Sequence, residues 1–141
     1  MAIRQDYLMR MILDLATAIA KALRGQGDGN PDIDDLEFAI GDAVNMDPEL
    51  FFSLDPDSMV LMLQIGDLGD EAASFVVRSM LLDAMFLQAE GKIGLGELRR
   101  RQAEAIASAF GCDVKMTTMT VEELAEPFLI TLSESDRWSE E

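Results

Sequence analysis

The sequence contains no histidine and a single cysteine, Cys112. Without histidine, neither a Ser-His-Asp nor a Cys-His arrangement can be built, and the usual zinc ligand set cannot be assembled. One cysteine excludes an internal disulfide and makes a reducing compartment the natural setting. Cys112 lies between Gly111 and Asp113. A neighbouring carboxylate disfavours its thiolate, so it reads as a packing residue. Aromatics are scarce, and Val and Ile never form an alternating run, which removes the usual signature of strands. No basic side chain occurs in residues 25–75, where thirteen acidic ones fall. No stretch of about 20 apolar residues is free of charge, so no transmembrane segment is expected.

What is present favours helices. Ala, Leu and Met are plentiful within an apolar content of 49%, and straight-chain side chains lose little freedom in a helix. A chain of 141 residues suggests one domain, burying roughly 70% of its unfolded surface. The net charge of −16 repels phosphate backbones, so nucleic acid is not expected as a partner. That charge is uneven. Residues 1–24 and 76–115 carry +2 and +1, and the acidity sits in a middle belt and in residues 116–141, which carry −6.

The organising stretch is residues 70–91. Thirteen of the nineteen side chains in residues 72–90 are apolar, and the polar ones never gather into a broad face. A helix apolar nearly all round is a membrane span or the buried centre of a helical domain, and Arg78 and Asp83 decide for the second. Before it, residues 3–23 place Ile3, Tyr7, Leu8, Met11, Ile12, Leu15, Ile19, Ala22 and Leu23 on one helical face. Lys21 and Arg24 fall in the last turn, with Gly25 as its cap. The apolar run of residues 11–13 stops at Asp14, shorter than the 7–15 residues of a secretory core, so an uncleaved first helix of a cytoplasmic protein is expected.

The segment Gln5-Asp6-Tyr7-Leu8-Met9-Arg10-Met11-Ile12 resembles the opening of a family of small bacterial helical proteins of unknown function. The resemblance covers about 20 residues, and the acidic insertion and long tail depart from the family pattern. It implies a helical fold and a bacterial origin, and carries over no site. Gly66-Asp67-Leu68-Gly69-Asp70-Glu71-Ala72 is similar to the turn of a tetratricopeptide repeat. There is one extra residue and no second copy. A tetratricopeptide-like helical hairpin is therefore expected, pairing residues 59–65 with the organising helix. One hairpin cannot build the groove that stacked repeats form.

Further helices are marked by their ends. Asn30-Pro31 and Asp47-Pro48 are start signals, the first for a helix to about residue 45 with Leu36, Ala39, Ile40, Ala43 and Val44 inward. Residues 97–110 follow the glycines of residues 91–96, with Leu98, Ala105, Ile106, Ala109 and Phe110 inward. Thr120-Val121-Glu122-Glu123 is a capping box for a last helix that Pro127 limits or kinks. The expected architecture is all-α, about six helices around a buried central one. Residues 1–132 form one domain and residues 133–141 an acidic mobile tail.

No motif points to chemistry. Asp28-Gly29-Asn30-Pro31-Asp32-Ile33-Asp34 spaces oxygens like an EF-hand start, but Ile33 and Ala39 stand where glycine and a bidentate carboxylate are needed. Gly91-Lys92-Ile93-Gly94-Leu95-Gly96 lacks the spacing of a nucleotide loop. No catalytic, cofactor or metal residue is expected. Met62, Met80 and Met85 read as core filling, and Met116 and Met119 as surface contacts. The candidate interaction residues are Leu8, Met11 and Leu15 on the first stripe, the basic run Arg99, Arg100 and Arg101, and Trp138 in the tail. These suit a protein partner or a homodimer. Two alternatives stand beside that reading. One is peripheral membrane contact through the first helix, whose stripe is flanked by Arg4, Arg10, Lys21 and Arg24. The other is a small-ligand carrier or enzyme with a closed pocket around Phe75, Met85 and Phe86.

Overall fold

The computed structural model describes residues 2–27 and 33–139. Among them the chain is all-helical, with seven α-helices and no strand. These are α1 (Ala2–Gly27), α2 (Ile33–Ala43), α3 (Pro48–Ser53), α4 (Pro56–Ile65), α5 (Asp70–Ala89), α6 (Ile93–Ala109) and α7 (Val121–Ser139), with a 3₁₀ segment at Val114–Thr118. The Asn30-Pro31 start signal and most of the EF-hand-like stretch lie outside the described residues.

Helix α5 is the centre. Twelve of its residues are buried, and α6, α2, α7 and α1 all pack on it. By length and composition it could cross a membrane, but its apolar circumference is taken up by these neighbours. Helices α5 and α6 form the most extensive pair, joined by a tight turn at Gly91, which has a φ of +87°. Gly96 lies against the facing helix: a Cβ there would stand 2.6 Å from Gln88 Cγ and 3.0 Å from the Ala84 carbonyl oxygen. The hairpin of the fold is thus α5–α6. The tetratricopeptide-like pairing of α4 with α5 is not what forms, since α4 packs on α6 instead.

The turn between α4 and α5 explains this. Leu68 N–H donates to Leu63 O and Asp67 N–H to Gln64 O, both at 3.2 Å, the paired bonds of a Schellman stop. The left-handed residue is Asp67, at φ +60°, and not Gly66. The end of α2 is built the same way: Met46 N–H reaches Gly41 O at 2.9 Å, Asn45 N–H reaches Asp42 O at 3.1 Å, and Asn45 has φ +61°.

Helix α1 buries Met11, Ile12, Leu15, Ala16, Ile19 and Ala22 against α7 and α2, and runs two residues past Gly25 to Gly27. The capping box at the start of α7 forms as its spacing predicts. Glu123 N–H donates to Thr120 Oγ1 at 3.2 Å, and Thr120 N–H to Glu123 Oε1 at 2.9 Å. Helix α7 continues through Pro127 to Ser139, so the backbone of residues 133–139, expected as tail, is helical. Pro127 has no N–H for the Glu123 carbonyl. Arg78 of α5 supplies the missing donor: its Nη1 lies 3.1 Å from Glu123 O and 3.2 Å from Leu124 O. Burial lowers the Arg78 pKa below its ordinary value, and the Glu126 carboxylate opposes that shift.

Candidate functional site

Two features carry polar chemistry, one closed and one open. The closed feature joins four helices. Arg99 of α6 donates from Nε to Asp83 Oδ2 at 2.9 Å, from Nη2 to Glu37 Oε2 at 3.0 Å and from Nη1 to Gln102 Oε1 at 2.7 Å. Its guanidinium lies 3.9 Å over the Phe52 ring. Gln102 Nε2 then donates to Phe52 O at 3.1 Å and Leu54 O at 2.8 Å, which ties the end of α3 to α6. Asp83 and Arg99 are buried, and Asp83 Oδ1 has no hydrogen-bond partner among the described residues.

Two carboxylates on one guanidinium leave a buried cluster with a net charge of −1. Burial drives the Asp83 pKa well above the carboxylate range, and the adjacent Glu37 carboxylate pushes the same way, against the opposing pull of Arg99. A proton on Asp83 would neutralise the cluster and supply an O–H toward the neighbouring carboxylate. The cluster has a structural part. Asp83, Arg99 and Gln102 are buried and Glu37 is partly so, and none of these residues lines either large cleft described below.

The basic run thus divides by burial. Arg99 is core, a correction to its place among surface residues: Gly96, Arg99, Gln102, Ala103 and Ile106 form the inward stripe of α6. That stripe is turned from the expected one, leaving Ala109 exposed. Arg100 and Arg101 are exposed, and Arg100 donates to Thr117 O at 2.9 Å and pairs with Glu104 at 3.5 Å. Met11 and Leu15 are likewise core and present no surface, while Leu8 is half-buried. Met116 is buried and Met62 exposed, the reverse of their expected places. Trp138 belongs to α7, and its side chain lies outside the described part of the structure. Phe75 packs edge-to-face on Phe128 with centroids 5.4 Å apart and Phe86 is fully buried. Neither they nor Met85 lines the large clefts. Cys112 is partly buried, and burial together with Asp70 raises its pKa.

The open feature is a cleft of about 790 Å³ between α1, the end of α2 and the α4–α5 turn. Leu8, Leu63, Leu68 and Ala72 give it an apolar floor, and Asp67, Asp70 and Glu71 stand along it. Tyr7 also lines it and donates from its hydroxyl to Ala43 O at 3.0 Å. Asn45 and Asp67, the two left-handed residues other than glycine among the described residues, both belong to its wall. Beside the cleft, α4 leaves Leu61, Met62 and Ile65 at 56%, 41% and 70% exposure. A second groove of about 670 Å³ runs between Leu23 of α1 and α7, with Ala125, Leu129 and Ile130 among its walls.

Among the described residues no group of three or more His, Cys, Asp or Glu could hold a metal ion. The chain matches no family model, no curated protein and no solved structure.

Proposed function

We propose that this protein is a non-catalytic protein-interaction module of a bacterial cytoplasm, working through the outer face of α4 and the cleft beside it. The observation that carries the reading is the exposure of three large aliphatic side chains, Leu61, Met62 and Ile65, on one short helix. Contiguous exposed apolar surface bordered by polar groups is characteristic of interaction sites. The absence of histidine and the raised Cys112 pKa accord with a role that needs no nucleophile. The first helix is a poorer candidate for a partner or a membrane surface, because its stripe from Met11 to Ala22 packs on α2 and α7.

The test is affinity capture from a bacterial lysate with the native chain, with Leu61→Ser/Ile65→Ser, and with Ile130→Ser on the far groove. Circular dichroism establishes that all three are folded. Capture by the native chain and the α7 variant, lost in the α4 variant, is the expected result. Equal recovery by all three removes α4 as the working face.

A further inference from the structure

Both grooves are lined by carboxylates and by no basic side chain among the described residues, Glu122, Glu126 and Glu134 in the second and Asp67, Asp70 and Glu71 in the cleft. The cleft is set apart by the exposed strip of α4 beside it and by the place of Asp67. Within the cleft, Asp67, Asp70 and Glu71 are all exposed. Asp70 and Glu71 occupy the first turn of α5, where carboxylates complement the helix dipole in any protein. The charge of Asp67 has no such explanation. Asp67 occupies the left-handed position of a Schellman stop, where glycine is the ordinary occupant and Asn or Asp the usual substitute, so the backbone accounts for the residue type and not for its charge. Its charge faces the same cleft as the other two.

The apolar surface is elongated as well as acidic at its edge. Leu61 and Ile65 are one helical turn apart on α4, and Met62 joins them to the cleft. A drug-sized ligand is mostly enclosed by its pocket, whereas this strip continues along the outside of α4, beyond the cleft. An occupant that places an apolar side chain every turn along such a strip is an amphipathic helix.

We infer that the cleft and the outer face of α4 receive a basic amphipathic helix of a partner protein, its apolar face on Leu61, Met62 and Ile65 and its Lys or Arg side chains toward Asp67, Asp70 and Glu71. This rests on the interaction reading above and adds the chemistry of the partner. Charge complementarity selects among occupants. A second copy would bring the same three carboxylates to the same place, and an anionic membrane would be repelled likewise.

The test uses the full chain and labelled peptides of about 18 residues, roughly 27 Å as helices. One is an amphipathic Leu/Lys sequence, and the others are its scrambled form, a Leu/Gln version and a Leu/Glu version. Binding is read by fluorescence anisotropy. The Leu/Lys helix is expected to bind, with affinity falling as salt rises. Its binding should weaken by about tenfold or more in Leu61→Ser/Ile65→Ser and in Asp67→Asn/Asp70→Asn/Glu71→Gln. The same affinity should remain in Ile130→Ser/Glu134→Gln on the second groove. All substituted side chains are exposed, and asparagine tolerates the left-handed conformation at position 67.

Equal binding of the scrambled peptide, or indifference to both cleft variants, would reduce the effect to net charge and overturn the inference. Equal binding of the Leu/Gln or Leu/Glu helix would overturn the basic partner while leaving the α4 surface standing. So would failure of every peptide where lysate capture still depends on Leu61 and Ile65; failure of both experiments removes the interaction reading itself. Self-association in sedimentation, abolished by the α4 substitutions, would assign the surface to a second copy and overturn the inference.

Discussion

Arg99 ties α2, α3, α5 and α6 together through Glu37, Phe52, Asp83 and Gln102, and its sequence neighbourhood disguises it. Within three consecutive arginines, a solvated face is the natural reading. The distinguishing signal is the helical period: counting back from Ile106 and Ala103 by seven and four reaches position 99. A substitution that removes the guanidinium leaves Asp83 buried without its counter-charge. Arg99→Leu is therefore expected to cost about 3–5 kcal/mol, read from urea unfolding; a loss under about 1 kcal/mol would mean the cluster is incidental.

Asp83 makes a separate prediction about pH. Its folded-state pKa is raised by burial and by Glu37, so the native chain holds a proton that the unfolded chain has released. Between the ordinary carboxylate value and the raised one, stability falls as pH rises, because the unfolded state binds fewer protons. The substitution Asp83→Asn would keep an oxygen for Arg99 and offer an N–H toward Glu37 without titrating. The stability of this variant relative to the native chain should therefore increase from acid to neutral pH, and a pH-independent difference in urea midpoints would exclude a proton held by Asp83.

At the scale of the element, local and distant interactions meet at Pro127. A proline seven residues into a helix reads as a stop or a kink, and α7 passes it because Arg78, 49 positions earlier, reaches the carbonyl that proline leaves open. Nothing local to either residue announces the pairing, so it is not legible in the sequence, whereas the Thr120–Glu123 box is, since both partners lie within one turn. Arg78→Met should cost about 1.5–3 kcal/mol in the native background and distinctly less with Pro127→Ala, where residue 127 regains its N–H. Additive losses in that double-mutant cycle would show that Arg78 acts elsewhere.

The α5–α6 contact gives a second pair of substitutions at this scale. Gly94 faces open space and Gly96 faces Gln88 and Ala84. Gly94→Ala should stabilise by about 0.5–1 kcal/mol through helix propensity, while Gly96→Ala should destabilise by about 1–3 kcal/mol through overpacking. Thermal melts that move in the same direction for both would contradict the close approach of the two helices. The partner of α4 is hidden in the sequence for a related reason. Gly66 suggests the pivot of a hairpin, but Asp67 is the left-handed residue and the chain leaves α4 toward α6 rather than folding it along α5.

Across the whole molecule, the apolar density of residues 72–90 is enough to identify the helix that everything else surrounds, because no other segment is apolar on nearly every side over such a length. The candidate surface is not legible in the same way. Helix α4 has Met59 and Leu63 inward and Leu61, Met62 and Ile65 outward, and a short helix with so little polar punctuation does not say which side faces the core. The α1 stripe has clear polar punctuation and is packed away from Met11 to Ala22. The working face is therefore sought where the three exposed side chains of α4 meet the carboxylates of the acidic belt, at the α4–α5 corner.

The most direct measurement of that claim is site-specific photo-crosslinking in living bacteria, with a benzophenone side chain placed at position 65 and, for comparison, at the exposed positions 50 and 130. An adduct with another protein is expected at position 65 alone, mapping to a segment with lysine or arginine beside an apolar face. Adducts at positions 50 or 130 with none at 65 would contradict it.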